Sequence, residues 1–191
     1  IAFGLVLIYM LFFYSKGAGL AADIALFTNL FFLFGVLASI GAVLTLPGIA
    51  GIVLTMGMSV DANVLIYERI QEELRAGKGL RLAIKEGYKQ AYSAIIDGNV
   101  TTLLTGFILY YFGEGPIKGF ATTLIIGIFT SLFCAIFITR IILDNASKKN
   151  DNVRFTTPFT ANWLQDVHFP FLERRKVGYT VSGIITVVCL V

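Results

Sequence analysis

The chain has 191 residues, 57% of them hydrophobic and 14% charged, with a formal net charge of +3 and a mean hydropathy of +0.80. Soluble domains carry about a quarter of their residues charged, so this composition excludes an ordinary soluble enzyme or binding module. The pI of about 8.9 does not point to nucleic acid, because the basic residues fall in the stretches between apolar runs rather than in one patch.

In chain order, apolar segments occupy residues 1–14, 22–46, 48–67, 93–112 and 118–143, and a further one begins near Val177. Runs of roughly 20 such residues match a hydrocarbon core of about 30 Å. The expected fold is all-α: a polytopic transmembrane helix bundle of five spans plus the start of a sixth, with cytoplasmic amphipathic helices. Turn signals separate the spans at Lys16-Gly17-Ala18-Gly19, at Pro47-Gly48 and at Gly113-Glu114-Gly115-Pro116. Both ends lie inside apolar runs, so the chain reads as a fragment of a longer polypeptide. Cys134 and Cys189 also fall in apolar spans, where no structural disulfide or metal site is expected.

Threading the spans alternately puts every Lys and Arg except Lys118 on one side, out of 15 in all. Basic loops stay in the cytoplasm, which sets the orientation: the Arg69 to Lys89 and Arg140 to Lys176 clusters inside, the turns at Pro47 and Glu114 outside. Residues 69–92 carry a Gly77-Lys78-Gly79 break and then an amphipathic piece in which Leu80, Ala83, Ile84, Gly87 and Ala91 share a face. That pattern predicts an interfacial helix. Residues 144–172 read as a linker with a second interfacial helix, capped by Thr157 and lined by Phe159, Trp163 and Val167; His168 there has no ligand-like companions.

Small residues recur at every fourth position: Gly119, Thr123, Gly127, Ser131 and Ala135 on the fifth span, Gly98, Thr102 and Gly106 on the fourth, Gly51, Thr55 and Ser59 on the third. In lipid such stripes let helix backbones approach closely. Gly57, Gly98, Gly106, Gly119 and Gly127 are therefore expected helix-packing positions, and Ile126, off the stripe, a lipid-facing one.

The acids carry the chemistry. Asp61 lies about 20 Å below Gly48 and about 9 Å above Tyr67, and Asp97 about 8 Å inside the same face. An acid at such depth costs about 2.5–3.5 kcal/mol on insertion scales, so it faces a bundle interior and serves a purpose. Desolvation favours the neutral form of a carboxyl group, which suits a group that takes up and releases a proton. Asn63 and Asn99 each follow an acid by two residues, and Gly57, one turn away, leaves room beside Asp61. Asp61, Asp97, Asn63 and Asn99 are the expected proton-relay set. Asp23 reads as an interfacial or capping acid. Paired acids also suit an intramembrane aspartyl protease, but its Tyr-Asp and Gly-x-Gly-Asp motifs are missing at both acids, so no enzyme and no catalytic residue is expected.

The stretch LTLPGIAGIVLTMGMSVDANVLIYERIQEELRAGKGLRLAIKEGYKQAYSAIIDGNVTTLL resembles the membrane region of the SecD/SecF export family, with VDANVLIYERI its most specific core. GEGPIKGFATTLIIGIFTSLFCAIFITR matches that family's following spans, and FPFLERRKVGYTVSGIITVVCLV is similar to the start of the SecF part. The resemblance implies residues 1–143 as a SecD-like bundle, 144–172 as linker and 173–191 as the start of a SecF-like helix. It further implies a resistance-nodulation-division type inner-membrane protein that uses the proton-motive force to assist preprotein translocation. Its implied partners are the SecYEG translocon, the SecF-like remainder, unfolded preprotein held by outward domains, and membrane lipid; protons are the only cofactor. Asp61 matches the family's proton-pathway acid and Asp97 a second characteristic one, with Gly98 standing where Ala is usual. A proton-coupled small-molecule or lipid exporter of the same superfamily is the alternative.

Overall fold

The structure, a computed structural model, describes residues 2–149, 155, 178–180, 182–183 and 185–186. These residues are helical apart from short connections, with no strand among them. Six helices follow in order: α1 (Ala2–Phe13), α2 (Lys16–Ser39), α3 (Leu46–Arg75), α4 (Leu80–Phe112), α5 (Pro116–Phe133) and α6 (Thr139–Lys149), with a π turn, Cys134–Ile138, joining the last two. The chain divides into residues Ile1–Thr157 and Pro158–Val191. In the second unit the described residues from Gly178 to Thr186 are helical; Thr157, Phe159, Trp163, Val167, His168 and Cys189 lie outside the described residues.

Among the described residues, four helices are long and apolar enough to cross a membrane: α2, α3, α4 and the continuous run Pro116–Lys148. The first predicted span is α1, described over 12 residues, about 18 Å.

Two expected boundaries move. The chain turns at Tyr14 and Ser15, and Lys16-Gly17-Ala18-Gly19 already belongs to α2. Gly19 is there for closeness, not for a turn: a Cβ on it would lie 2.8 Å from the Met10 carbonyl oxygen. At the other end, α2 stops at Ser39 instead of running to Leu46. Gly41, at φ +63°, donates its N–H to Ala38 while Ala42 donates to Leu37, a Schellman cap that only a left-handed residue closes. The next helix is opened by Thr45, whose hydroxyl oxygen accepts from the Gly48 N–H at 3.1 Å, with Pro47 in the first turn.

The predicted interfacial helix over residues 80–92 is not a separate element. Nothing between Tyr92 and Ser93 breaks the helix, so α4 runs 33 residues, about 50 Å. With the 30 residues of α3 it forms a hairpin longer than a bilayer core is thick. The apolar face read from the sequence packs on α3, not on lipid: Ala83, Ile84, Gly87 and Ala91 are buried. At the hairpin tip Gly77 takes φ +85°, and Lys78 pairs with both Glu73 and Glu86.

The larger core sits at the tip-proximal half of the bundle. Tyr67, fully buried, donates its hydroxyl to the Ala18 carbonyl at 2.9 Å and stacks edge-on with Tyr14; Phe155 closes over its other side. The expected linker from Asp144 is helical up to Lys149, and Leu143 and Ser147 are buried.

Between α3 and α5 the contact is a seam of small residues. A Cβ on Gly127 would lie 2.6 Å from the Thr55 side chain, and one on Gly119 2.5 Å from that of Thr45. The every-fourth-residue stripe continues beyond Ala135 through Thr139, Leu143 and Ser147, all buried. A straight α-helix turns about 400° in four residues, so such a stripe drifts about 40° per step. The π turn, whose i→i+5 bonding inserts one extra residue, offsets about 100° of that drift and so keeps Thr139 on the side of Ser131.

Candidate functional site

Asp61 stands on the face of α3 that turns toward α4. It lines a groove of about 320 Å³ whose walls are Met58, Ala62 and Leu65 on α3 and Ala94, Ile95, Gly98, Asn99 and Thr102 on α4. Asn99 donates its amide to the Ile95 carbonyl at 2.8 Å, and its Oδ1 is buried with no partner. Among the described residues, Asp61 is the only titratable group in the groove lining. The site is an acid with one unsaturated hydrogen-bond acceptor and a hydroxyl, Thr102, in an otherwise apolar trough.

Of the four expected relay residues, the fold brings together Asp61 and Asn99. Asp97 does not line the groove; it is exposed on α4. Asn63 is on the opposite side of α3, 1% exposed, where its Oδ1 accepts a hydrogen bond from the Thr139 hydroxyl at 3.0 Å. The expectation that both acids are buried inside the bundle is corrected: Asp61 and Asp97 are exposed in this chain. The reason lies in α4, whose most apolar stretch is only 11% buried. Val100, Leu104, Phe107 and Ile108 are all outward-facing there.

The expected packing glycines divide in the same way. Gly106, Gly119 and Gly127 sit at close approach, the first against Ile125. Gly57 and Gly98 meet nothing within 4 Å, so no contact supports a packing role for either. What Gly98 does is leave the groove open beside Asn99. Ile126, expected to face lipid, packs against the Leu33, Leu37 and Ile52 cluster.

Sequence reasoning missed Asp23. It is 7% exposed and its Oδ1 has no partner, which makes it the more enclosed acid of the bundle. A signal was present: Gly19, Asp23 and Leu26 fall at helical spacing on one side of α2, and Gly19 is pressed against α1.

The family model for the protein export membrane protein SecD/SecF, C-terminal, matches residues 1–149. The chain belongs to the SecD/SecF family. It is 61% identical over 140 residues to the protein translocase subunit SecD of Rhodothermus marinus, covering 73% of this chain and 22% of that protein. To the SecD of Desulfurispirillum indicum it is 58% identical over 144 residues, 75% of this chain and 28% of the relative. The crystal structure of SecDF from Thermus thermophilus, a translocon-associated membrane protein, superposes with a TM-score of 0.88 at 36% identity, over 99% of this chain and 25% of that one. The chain thus spans about a quarter of the length of the SecD and SecDF proteins it matches. Like them it is a multi-pass protein of the bacterial inner membrane.

Proposed function

We propose that this chain is the membrane core of a proton-motive-force-driven accessory to the Sec translocon, and that Asp61 carries the proton. The carrying observation is the groove itself: a lone carboxyl at membrane depth, opposite an unpaired Asn99 oxygen. A neutral Asp61 has an O–H to donate toward such an acceptor, whereas an ionised one has none. Taking up or losing a proton therefore changes what α3 and α4 offer each other across the trough, and a helix pair whose contact depends on a proton is the element that export requires.

The work is mechanical and not enzymatic, with protons as coupling ion and no other cofactor. The exposed strip on α4 is covered by further helices of the complete protein, the SecF-like part among them, which complete the surroundings of Asp61. SecYEG supplies the channel, and outward domains hold the unfolded preprotein.

The test is Asp61→Asn in the full-length protein, assayed for preprotein export by membrane vesicles under an imposed proton gradient. The gradient-dependent part of export is expected to vanish while membrane insertion and folding are kept. Export at the wild-type rate would reduce Asp61 to a structural residue.

A further inference from the structure

The seam between α3 and the helix pair α5–α6 is lined with hydroxyls, and most bond within their own helix. Thr55 donates to the Ile52 carbonyl, Thr123 to Phe120, Thr130 to Gly127 and Ser131 to Ile128. Such a seam holds two helices close, but its smooth, small side chains set their rotation weakly. Among the described residues, the side-chain hydrogen bond that crosses it is Thr139 to Asn63, at 3.0 Å. Both partners are almost wholly buried.

The π turn delivers Thr139 to that place. In an unbroken α-helix Thr139 would stand about 80° round from Ser131; the widened turn, closed by the Thr139 N–H on the Cys134 carbonyl, brings both onto the side facing α3. Insertions of this kind are frequent at functional positions. Asn63 is two residues beyond Asp61, about 200° round the helix. Anchoring Asn63 on one side of α3 turns Asp61 to the other, where the groove is.

We infer that Thr139 is a positioning residue for Asp61: through Asn63 it fixes the rotation of α3 and keeps the Asp61 carboxyl in the α3–α4 groove. The inference rests on the reading of Asp61 as the proton carrier, and it adds the residue that aims it. Among the described residues no other titratable group lines the groove; on α4 the adjoining acid is Asp97, next in sequence to Gly98.

The test uses the full-length protein in native membranes and dicyclohexylcarbodiimide, an apolar reagent that modifies protonated carboxyls, with the adduct on Asp61 located by peptide mass spectrometry. Thr139→Val keeps the shape and removes the hydroxyl; Thr139→Ser keeps the hydroxyl. The Val variant is expected to change the Asp61 labelling rate by about threefold or more, while the Ser variant follows the wild type. Asn63→Ala reads the same bond from its other end should the Val variant fail to accumulate. It strands no hydroxyl, because Thr139 then bonds the Cys134 carbonyl 3.2 Å away. Wild-type labelling in a folded Thr139→Val or Asn63→Ala protein would overturn the positioning role. Labelling does not require export, so normal export by Asp61→Asn would remove the proton reading and leave this test in force.

Discussion

Gly87 and Gly98 lie three turns apart on α4 and do opposite things. A Cβ on Gly87 would come within 2.8 Å of the Ile70 backbone nitrogen and 2.9 Å of its Cα, and backbone atoms cannot swing aside. Gly87→Ala is expected to destabilise the bundle by about 1–3 kcal/mol, the usual scale of overpacking. Gly98→Ala and Gly57→Ala enter open space and should be neutral or gain up to about 1 kcal/mol of helix propensity. Thermal unfolding in detergent separates the two outcomes; equal shifts at Gly87 and Gly98 would contradict the packing described. From sequence these glycines look alike, because the signal for close approach is also the signal for a turn. Lys16-Gly17-Ala18-Gly19 and Gly77-Lys78-Gly79 carry the same residues, yet the first is helix pressed on helix and the second a true loop. Asp23 was legible only in part: Gly19, Asp23 and Leu26 share one side of α2, but the pressing of Gly19 on α1 emerges only in the fold.

At the scale of elements, the hairpin α3–α4 and the small-residue seam were the legible parts. Charge placement and period gave the hairpin its two helices, while the continuity of α4 through Tyr92 was hidden by a change from amphipathic to wholly apolar composition. The stripe on α5 was visible to Ala135; that it runs on to Ser147 required the π turn, which has no sequence signature at Cys134–Ile138. Replacing Gly127 by Leu is expected to lower the melting temperature far more than Phe129→Leu, since Phe129 is 54% exposed and Gly127 touches Thr55. Similar losses in the two variants would remove the seam as the main contact. At the hairpin tip, the hydrogen bond to Glu73 and then that to Glu86 hold the Lys78 ammonium protonated above its ordinary range. A raised folded value means that the contribution is fully present below the unfolded one and is lost as pH climbs through the raised one. Hydrogen-exchange protection factors at the start of α4 should therefore hold up to about pH 10 and fall as pH climbs beyond it, and protection that stays level above about pH 10 would show that Lys78 is not so held.

For the whole molecule, the decisive feature is an acid on an open face. The membrane stretch of α4 is only 11% buried and Asp61 is exposed, the strip that the proposal above has further helices cover, and charge placement gives the chain a direction. With Cys134 and Cys189 replaced, a cysteine at Glu114 should react with an impermeant maleimide in intact cells and one at Lys78 should not. The reverse pattern would overturn this orientation and with it the proposed direction of proton flow. Proton flux reads the proposed role of Asp61 without an export assay. Full-length protein is reconstituted into vesicles holding a pH-sensitive dye, a pH step is imposed, and proton entry is compared for wild type, Asp61→Glu and Asp61→Asn. Measurable entry is expected for wild type, reduced entry for Glu, and for Asn only the leak of protein-free vesicles; Asn flux equal to wild type would contradict Asp61 as the proton carrier.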